Sequence, residues 1–330
     1  MIRVAAAIAT AALLAACGGA SPGGAGAASA LAAAAGAPAF APKLPRRSWM
    51  SRDASAAKAL LYISDAGTFE VRVYAFPSLK LSGTLTGFER PQGECTDRAG
   101  NVWITNTVGQ DVLEYAHGGT SAIALLADPT GYPVGCAIDP ASGDLAVTNI
   151  YDLSGGGGVL VYKNARGTPR PYSDPTQHYC YFDGYDAHGN LYVSGSTGGG
   201  AYVLTVLPKG GGSLARVTVQ NGTIHYPGTV AWTGATLVLG DQKCAGKKAS
   251  CLYQASVSGR TASITGTTPL GNACDVAQAW VGTTQTAAGD YEYCGDPRSG
   301  AALWPYPGGG SPSKRVAGLE TPVGAALSRR

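Results

Sequence analysis

One unit recurs along this chain and constrains it more than any other feature: a tight Gly turn, then a short strand that alternates apolar residues and ends on a small polar one. It reads GNVWITN from Gly100 to Asn106, GDLAVTN from Gly143 to Asn149, GNLYVSG from Gly189 to Gly195 and GATLVLGD from Gly234 to Asp241. A weaker copy, GTTQTAAGD, runs from Gly282 to Asp290, and LLYISD, from Leu60 to Asp65, is an early copy without its turn. The turn glycines are spaced by 43, 46, 45 and 48 residues. Strands repeating at that period cannot each bury an apolar face alone, so the units must stack on one another.

Each copy has companions. Before it stands a second signature: PQGECTD from Pro91, YPVGCAID from Tyr132, HYCYFDGYD from His178, HYPGTVAW from His225 and CDVAQAW from Cys274. After it comes a third strand, such as DVLEYAHGG or GVLVYKNARG, and then a poorer fourth, such as SAIALLADP or KRVAGLETP. Four strands per unit is the composition of a propeller blade. The chain holds 48 Gly and 20 Pro but only 2 Met and 5 Phe, which also disfavours long helices. The segment from Leu60 to Thr86 supplies three strands without an inner one, whereas ETPVGAALS, from Glu320 to Ser328, is an inner strand with nothing after it. The expected fold is therefore an all-β, six-bladed β-propeller of four-stranded blades, with the C-terminal strand completing the first blade so that no sheet edge is left open at the closure.

The ends of the chain carry different information. One Arg is followed by VAAAIATAALLAAC, too short an apolar run to span a bilayer and laid out like a secretory signal peptide. Its end, Leu14-Ala15-Ala16-Cys17, resembles the lipobox of bacterial lipoproteins, which implies cleavage before Cys17, acylation of Cys17, and a lipid-anchored, exported protein of the bacterial cell envelope. The expected organisation is a signal peptide over residues 1–16, a tether of Ala, Gly, Pro and Ser over 17–57, too poor in large apolar residues to order itself, and the propeller over 58–330. Lys plus Arg number 24 and Asp plus Glu 21, and there is no basic run beyond Arg-Arg pairs, so a nucleic-acid partner is not expected.

The combination of a Pro-x-Gly strand, a Gly-Asn turn, a V-x-V-x-N/D-like strand and a V-x-x-Y-like strand resembles the NHL-repeat six-bladed propellers, broadly related to gluconolactonase-like and regucalcin-like proteins. The resemblance covers residues 58–330. It implies a ligand site at the mouth of a central channel, where loops from several blades meet. It does not choose among hydrolases, lyases, sensors and binding scaffolds. The later copies depart from the pattern, with Trp232 and Trp280 where an Asp follows the inner strand in the earlier ones.

Two candidate constellations follow. Glu94, Asn106, Asn149 and Asp241 form an oxygen-rich set suited to Ca²⁺ or Mg²⁺, and the resemblance implies that such a set polarises a lactone carbonyl. The alternative is that the Asn and Asp side chains tie down local turns, which their recurrence in most copies favours. Glu94 is set apart because no other copy is expected to carry a carboxylate at its position. His178 and His225, each followed by Tyr, fall at matching places in neighbouring copies and would suit zinc, although two histidines lack a third ligand. Within residues 58–330 no G-x-S-x-G elbow and no phosphate-binding glycine loop is present. No cofactor is called for outright. The leading expectation is a binding scaffold for a small molecule, glycan or protein partner, with a metal-dependent lactonase-like hydrolase or lyase as the competing reading.

Seven cysteines follow Cys17 and none forms a C-x-x-C pair, so disulfides are expected in an oxidising compartment. The favoured pairings are Cys244 with Cys251, Cys274 with Cys294, and Cys136 with Cys180, which leaves Cys95 over.

Overall fold

The computed structural model describes residues 47–152, 155–293 and 299–330. The signal peptide, Cys17 and most of the proposed tether lie outside the described residues, as does Cys294. Among the described residues the only helical pieces are 3-10 turns, at Ala54–Ala56, Lys163–Ala165 and Cys244–Gly246, and none is long and apolar enough to cross a membrane. The rest is β-strand, arranged as in a propeller.

The strands form antiparallel sheets in which each strand pairs with the next along the chain. Pro91–Thr96, Val102–Asn106, Asp111–Tyr115 and Ala122–Ala127 make one four-stranded sheet in that order. Gly131–Ile138, Leu145–Asp152, Gly158–Tyr162 and Arg170–Tyr172 make the next. Two further sets of four, Tyr179–Tyr185 to Ala215–Gln220 and Pro227–Thr233 to Thr261–Leu270, are fused into one eight-stranded sheet. Their outermost strands meet in parallel, with Thr218 opposite Thr261 and Gln220 opposite Ser263. Ala279–Val281, Gln285–Asp290, Gly300–Pro305 and Lys314–Ala317 form the last complete set.

The first sheet is assembled from both ends of the described chain. Ala326–Arg329 pairs with Ala59–Asp65, with Leu327 opposite Leu61, as the unpartnered C-terminal strand predicts. Trp49–Met50 adds to the other edge, with Trp49 opposite Thr84. Residues 49–56, expected to belong to the tether, are therefore strand and 3-10 turn of the folded unit. The pairing of Trp49–Met50 with Lys80–Leu85 carries a positional signal that composition conceals.

Why the apolar runs are continuous rather than alternating follows from the packing. Along Leu60-Leu61-Tyr62-Ile63, the residues Leu60 and Tyr62 join Val102 and Ile104 of the second sheet, whereas Leu61 and Ile63 join Ala287, Ala301 and Leu303 of the last. Each sheet is thus sandwiched between two neighbours, so both faces of its central strands are apolar and buried. Burying one such side chain contributes about 1.5–3 kcal/mol, so the interfaces between sheets are the main source of stability.

The turns that introduce the second strands have a local cause. Asp97 accepts from the Asn101 backbone and side chain, and Asp186 accepts from the His188 and Asn190 amides and the Asn190 side chain. Gly100 and Gly189, at φ +83° and +82°, take the left-handed conformation these turns need. Where the Asp is missing, the hairpin tightens: Thr233 pairs directly with Thr236 around Gly234. Trp232 then stacks on Tyr192 of the neighbouring set at 5.6 Å, and Trp280 packs edge-on to Phe76 at 5.4 Å. Both indoles fill spaces between sheets.

The disulfides differ in part from expectation. Cys244 and Cys251 are bonded, as expected. Cys136, however, bonds Cys95 across the second and third sheets, not Cys180, which is buried as a free thiol. Alternation explains the switch: Cys95 points from the strand Pro91–Thr96 to the side on which the third sheet lies, and Cys136 points back. Cys274 is also disulfide-bonded, and its expected partner Cys294 lies outside the described residues.

Candidate functional site

At one end of every sheet the second strand leaves and the innermost strand enters, and the polar residues that close the second strands sit there. Most of their side chains accept from backbone amides, and Asn149 is tied to the backbone only through Asp128. Asp65 accepts from the Gly67, Glu320 and Thr321 amides. Asn106 accepts from the Glu89 amide and donates to Asp111. Asn149 donates to Asp128, which itself holds the Thr130 and Gly131 amides. Asp241 accepts from the His225, Tyr226 and Lys243 amides, and Asp290 from Cys274. In the copy that ends on Gly195 a different residue serves: Gln177 bonds the Val193 carbonyl and the Thr205 hydroxyl. Asn106, Asn149 and Asp241 therefore anchor the segments that enter the innermost strands. Among the described residues no three His, Cys, Asp or Glu side chains come together as a metal cluster.

Glu94 stands apart from these anchors. It lies on an innermost strand opposite Ile104, 2% exposed, and accepts from the Ser64 hydroxyl of the first sheet at 2.7 Å through Oε1, while Oε2 has no hydrogen-bond partner. Burial pushes its pKa up to about 8, against smaller lowering effects from Ser64 and the Ala326 amide. The backbone of Glu94 is held by the Gln278 side chain. Gln278 accepts from the Glu94 amide at 2.8 Å and donates to the Glu94 carbonyl at 2.9 Å, and its Oε1 also accepts from the Ala325 amide. One buried amide thus stitches three innermost strands together.

Glu94 is not alone at its level. Asp183 lies opposite Val193, and Val193 occupies in its copy the place that Ile104 holds in GNVWITN. The two carboxylates therefore share a register two sheets apart, with Cys136 opposite Val147 at the level between them. Asp183 is buried, and neither of its carboxylate oxygens has a hydrogen-bond partner, so desolvation raises its pKa well above the usual carboxylate range. The expectation of a unique carboxylate at Glu94 is corrected here. The HYCYFDGYD copy lacks the Pro-x-Gly marker and carries a bulge between Cys180 and Phe182, which shifts its register by one residue and conceals the match.

The histidines sit in two different settings. His178 is packed edge-on against Tyr179 at 4.6 Å, and Tyr151 closes on both rings at 5.8 and 6.2 Å. Tyr151 follows the anchor Asn149 and is 39% exposed, so the aromatic group opens to solvent. His225 places Nδ1 3.3 Å from Asp241 Oδ2. It also lines an open cleft of about 530 Å³ with Tyr202, Arg216 and Thr218. Between the two settings, Tyr181 meets Tyr226 at 5.8 Å, and the Lys243 ammonium lies 5.2 Å from the Tyr226 ring centre. The entry end of the third to fifth sets thus presents a band of tyrosine, histidine and lysine. His-Tyr doublets, His178-Tyr179 and His225-Tyr226, mark part of that band in the sequence. Tyr151 and Lys243 carry no such mark, because each only follows an anchor residue.

The chain is similar in fold to proteins of low sequence identity. A crystal structure of a nidogen/laminin complex contains a chain that matches with a TM-score of 0.61 at 12% identity, over 82% of this chain and 98% of that one. A protein of unknown function from Bacteroides caccae matches with a TM-score of 0.59 at 10% identity, over 83% of this chain and all of that one. A functionally unknown protein from Desulfotomaculum acetoxidans matches with a TM-score of 0.54 at 9% identity, over 82% and 99%. The fold is a β-propeller. No family model and no curated protein matches the sequence, so these likenesses carry the fold alone.

Proposed function

We propose that this chain is an exported, lipid-anchored binding module whose propeller offers an aromatic mouth to a glycan or another ring-bearing molecule. In this reading the sheets are six blades, the eight-stranded sheet being two blades joined at their rims, and Cys17 is the membrane attachment point. The single observation that carries the binding reading is the solvent-open group of Tyr151, His178 and Tyr179 beside Tyr226 and Lys243. Aromatic faces with polar rims complement a sugar ring, whose C–H face is apolar and whose edge carries hydroxyls. The commitment of Asn106 and Asp241 to backbone amides, and of the Asn149 amide to Asp128, also favours a binding role over a mouth-based metal site built from them. The test is a glycan array probed with the protein, followed by titration of any hit against Tyr151→Ala and Tyr179→Ala.

A second reading rests on a separate observation, the unpartnered oxygens of Glu94 and Asp183. Carboxyls with raised pKa values suit general acid–base work or a bound cation in a hydrolase or lyase. Activity against lactones, with or without added Ca²⁺ or Zn²⁺, that disappears in Glu94→Gln would favour this reading over the scaffold.

A further inference from the structure

The outer rims of the sheets are treated unequally. An exposed strand edge presents unpaired amides and carbonyls that recruit other strands, and folded proteins blunt such edges by covering them, shortening them or placing charge or proline on them. Here the first sheet's rim strand, Lys80–Leu85, is covered by Trp49–Met50. The third sheet ends on the three-residue strand Arg170–Tyr172, which carries Arg170 and Pro171, with the Arg170 guanidinium over the Tyr172 ring. The fourth and fifth sets close their rims on each other through Ala215–Gln220 and Thr261–Leu270. The last set ends on the four residues Lys314–Ala317, headed by Lys314 and Arg315.

Ala122–Ala127 is the exception among the described residues. It pairs with Asp111–Tyr115 on one side and with no strand on the other. Its six residues, AIALLA, contain no charge, proline or glycine. Ala124 and Leu126 pack inward against the cluster around Trp103 and Val147, whereas Ile123 and Leu125 stand on the opposite face, 56% and 57% exposed. Only at the end of the strand is an edge group used, where the Ala127 carbonyl accepts from the Tyr162 hydroxyl.

We propose that Ala122–Ala127 is a dimerisation strand that pairs antiparallel with its own copy in a second molecule. A two-fold axis at Ala124 puts Ile123 of each copy opposite Leu125 of the other, so the exposed leucine and isoleucine cover one another. Because the strand carries no charge, self-pairing brings no like charges together. The resulting sheet of eight strands would join two four-stranded sets at their rims, as the chain does within itself, although there the rim strands run parallel. A foreign strand would need its own apolar pair in register, whereas the second copy supplies it by symmetry. One strand pair is a small interface, so the dimer is concentration-dependent.

Sedimentation velocity over a dilution series of the full chain tests this. The expected result is a monomer–dimer equilibrium whose dissociation constant rises at least about tenfold in Leu125→Lys and in Ile123→Lys, because a lysine on the edge blocks strand addition. Leu81→Lys, on a rim already covered by Trp49–Met50, leaves the equilibrium unchanged. Thermal unfolding of each variant separates a lost interface from a lost fold, and Ala124→Cys provides a second readout, since the axis places the two cysteines opposite each other for a disulfide across the dimer. A monomer at every concentration, or a dimer indifferent to lysine at both 123 and 125, overturns the proposal.

Discussion

Ser64 Oγ donates a 2.7 Å hydrogen bond to Glu94 Oε1 from the neighbouring sheet, and this is the one side-chain bond that Glu94 receives before its second oxygen is left alone. A carboxyl so placed holds its proton more tightly folded than unfolded. With a pKa of about 8 in the folded protein against 4.5 as the ordinary value, the folded state binds the extra proton between those two pH values. Stability is therefore highest below about pH 4.5 with respect to this group, and falls as pH rises towards 8 by up to about 1.4 kcal/mol per pH unit. Glu94→Gln is expected to match the wild type near pH 4.5, to exceed it by a few kcal/mol at pH 8 to 9, and to show a shallower pH slope in urea unfolding. Asp183, whose pKa is raised in the same direction, contributes to the slope that remains.

The cysteines give a second ordering. Cys95–Cys136 closes a loop with a sequence separation of 41, and Cys244–Cys251 one of 7. Loop-closure entropy assigns about 4 kcal/mol to the first and about 2.5 kcal/mol to the second. Replacing Cys95 and Cys136 together by Ser should lower the unfolding free energy more than replacing Cys244 and Cys251. Cys180, buried with its thiol pKa raised by desolvation, should resist alkylation in the native protein and react only after unfolding, as read by peptide mass spectrometry.

The anchors predict local damage. Asp241→Ala removes the acceptor of three backbone amides, whereas Asn106→Ala removes the acceptor of one. Leaving buried amides unpaired costs about 1–3 kcal/mol each at most, so Asp241→Ala should be the more destabilising and should raise amide hydrogen exchange around His225 and Lys243.

Truncation at Leu319 tests the closure. It removes the strand Ala326–Arg329 together with the buried side chains of Val323, Ala325 and Leu327, and exposes Leu61 and Ile63. The expectation is loss of a single cooperative unfolding transition and the appearance of aggregation through the opened first sheet.

How much of this was legible in the sequence depends on which interactions are local. The Gly turns and alternating strands reveal themselves because turn chemistry and side-chain alternation act over a few residues, and the orphan strand at the C-terminus follows from counting. Cys136 pairs with Cys95 and not with Cys180 because choosing between two neighbouring sheets needs the direction of each side chain: Cys180 faces the third sheet beside Ala137 and Ala146, but Cys136 faces the second beside Trp103 and Val112. The bulge beside Cys180 conceals Asp183 as the counterpart of Glu94. Trp49–Met50 was unreadable for another reason: two residues contribute no periodicity, and only the partner strand Lys80–Leu85 gives them a place. Asn106 and Asp241 were ambiguous because an anchor and a metal ligand use the same oxygen, and only the amides around them distinguish the two.

In the proposed function, ligand is held by the aromatic mouth and not by the buried carboxyls. The direct measurement is calorimetric titration of a glycan found by array screening into the wild type, Tyr151→Ala/Tyr179→Ala and Glu94→Gln. The double variant is expected to lose binding by at least about tenfold, about 1.4 kcal/mol, while keeping its melting temperature, and Glu94→Gln to bind as the wild type does. Binding that survives the loss of both tyrosines but fails in Glu94→Gln would contradict it.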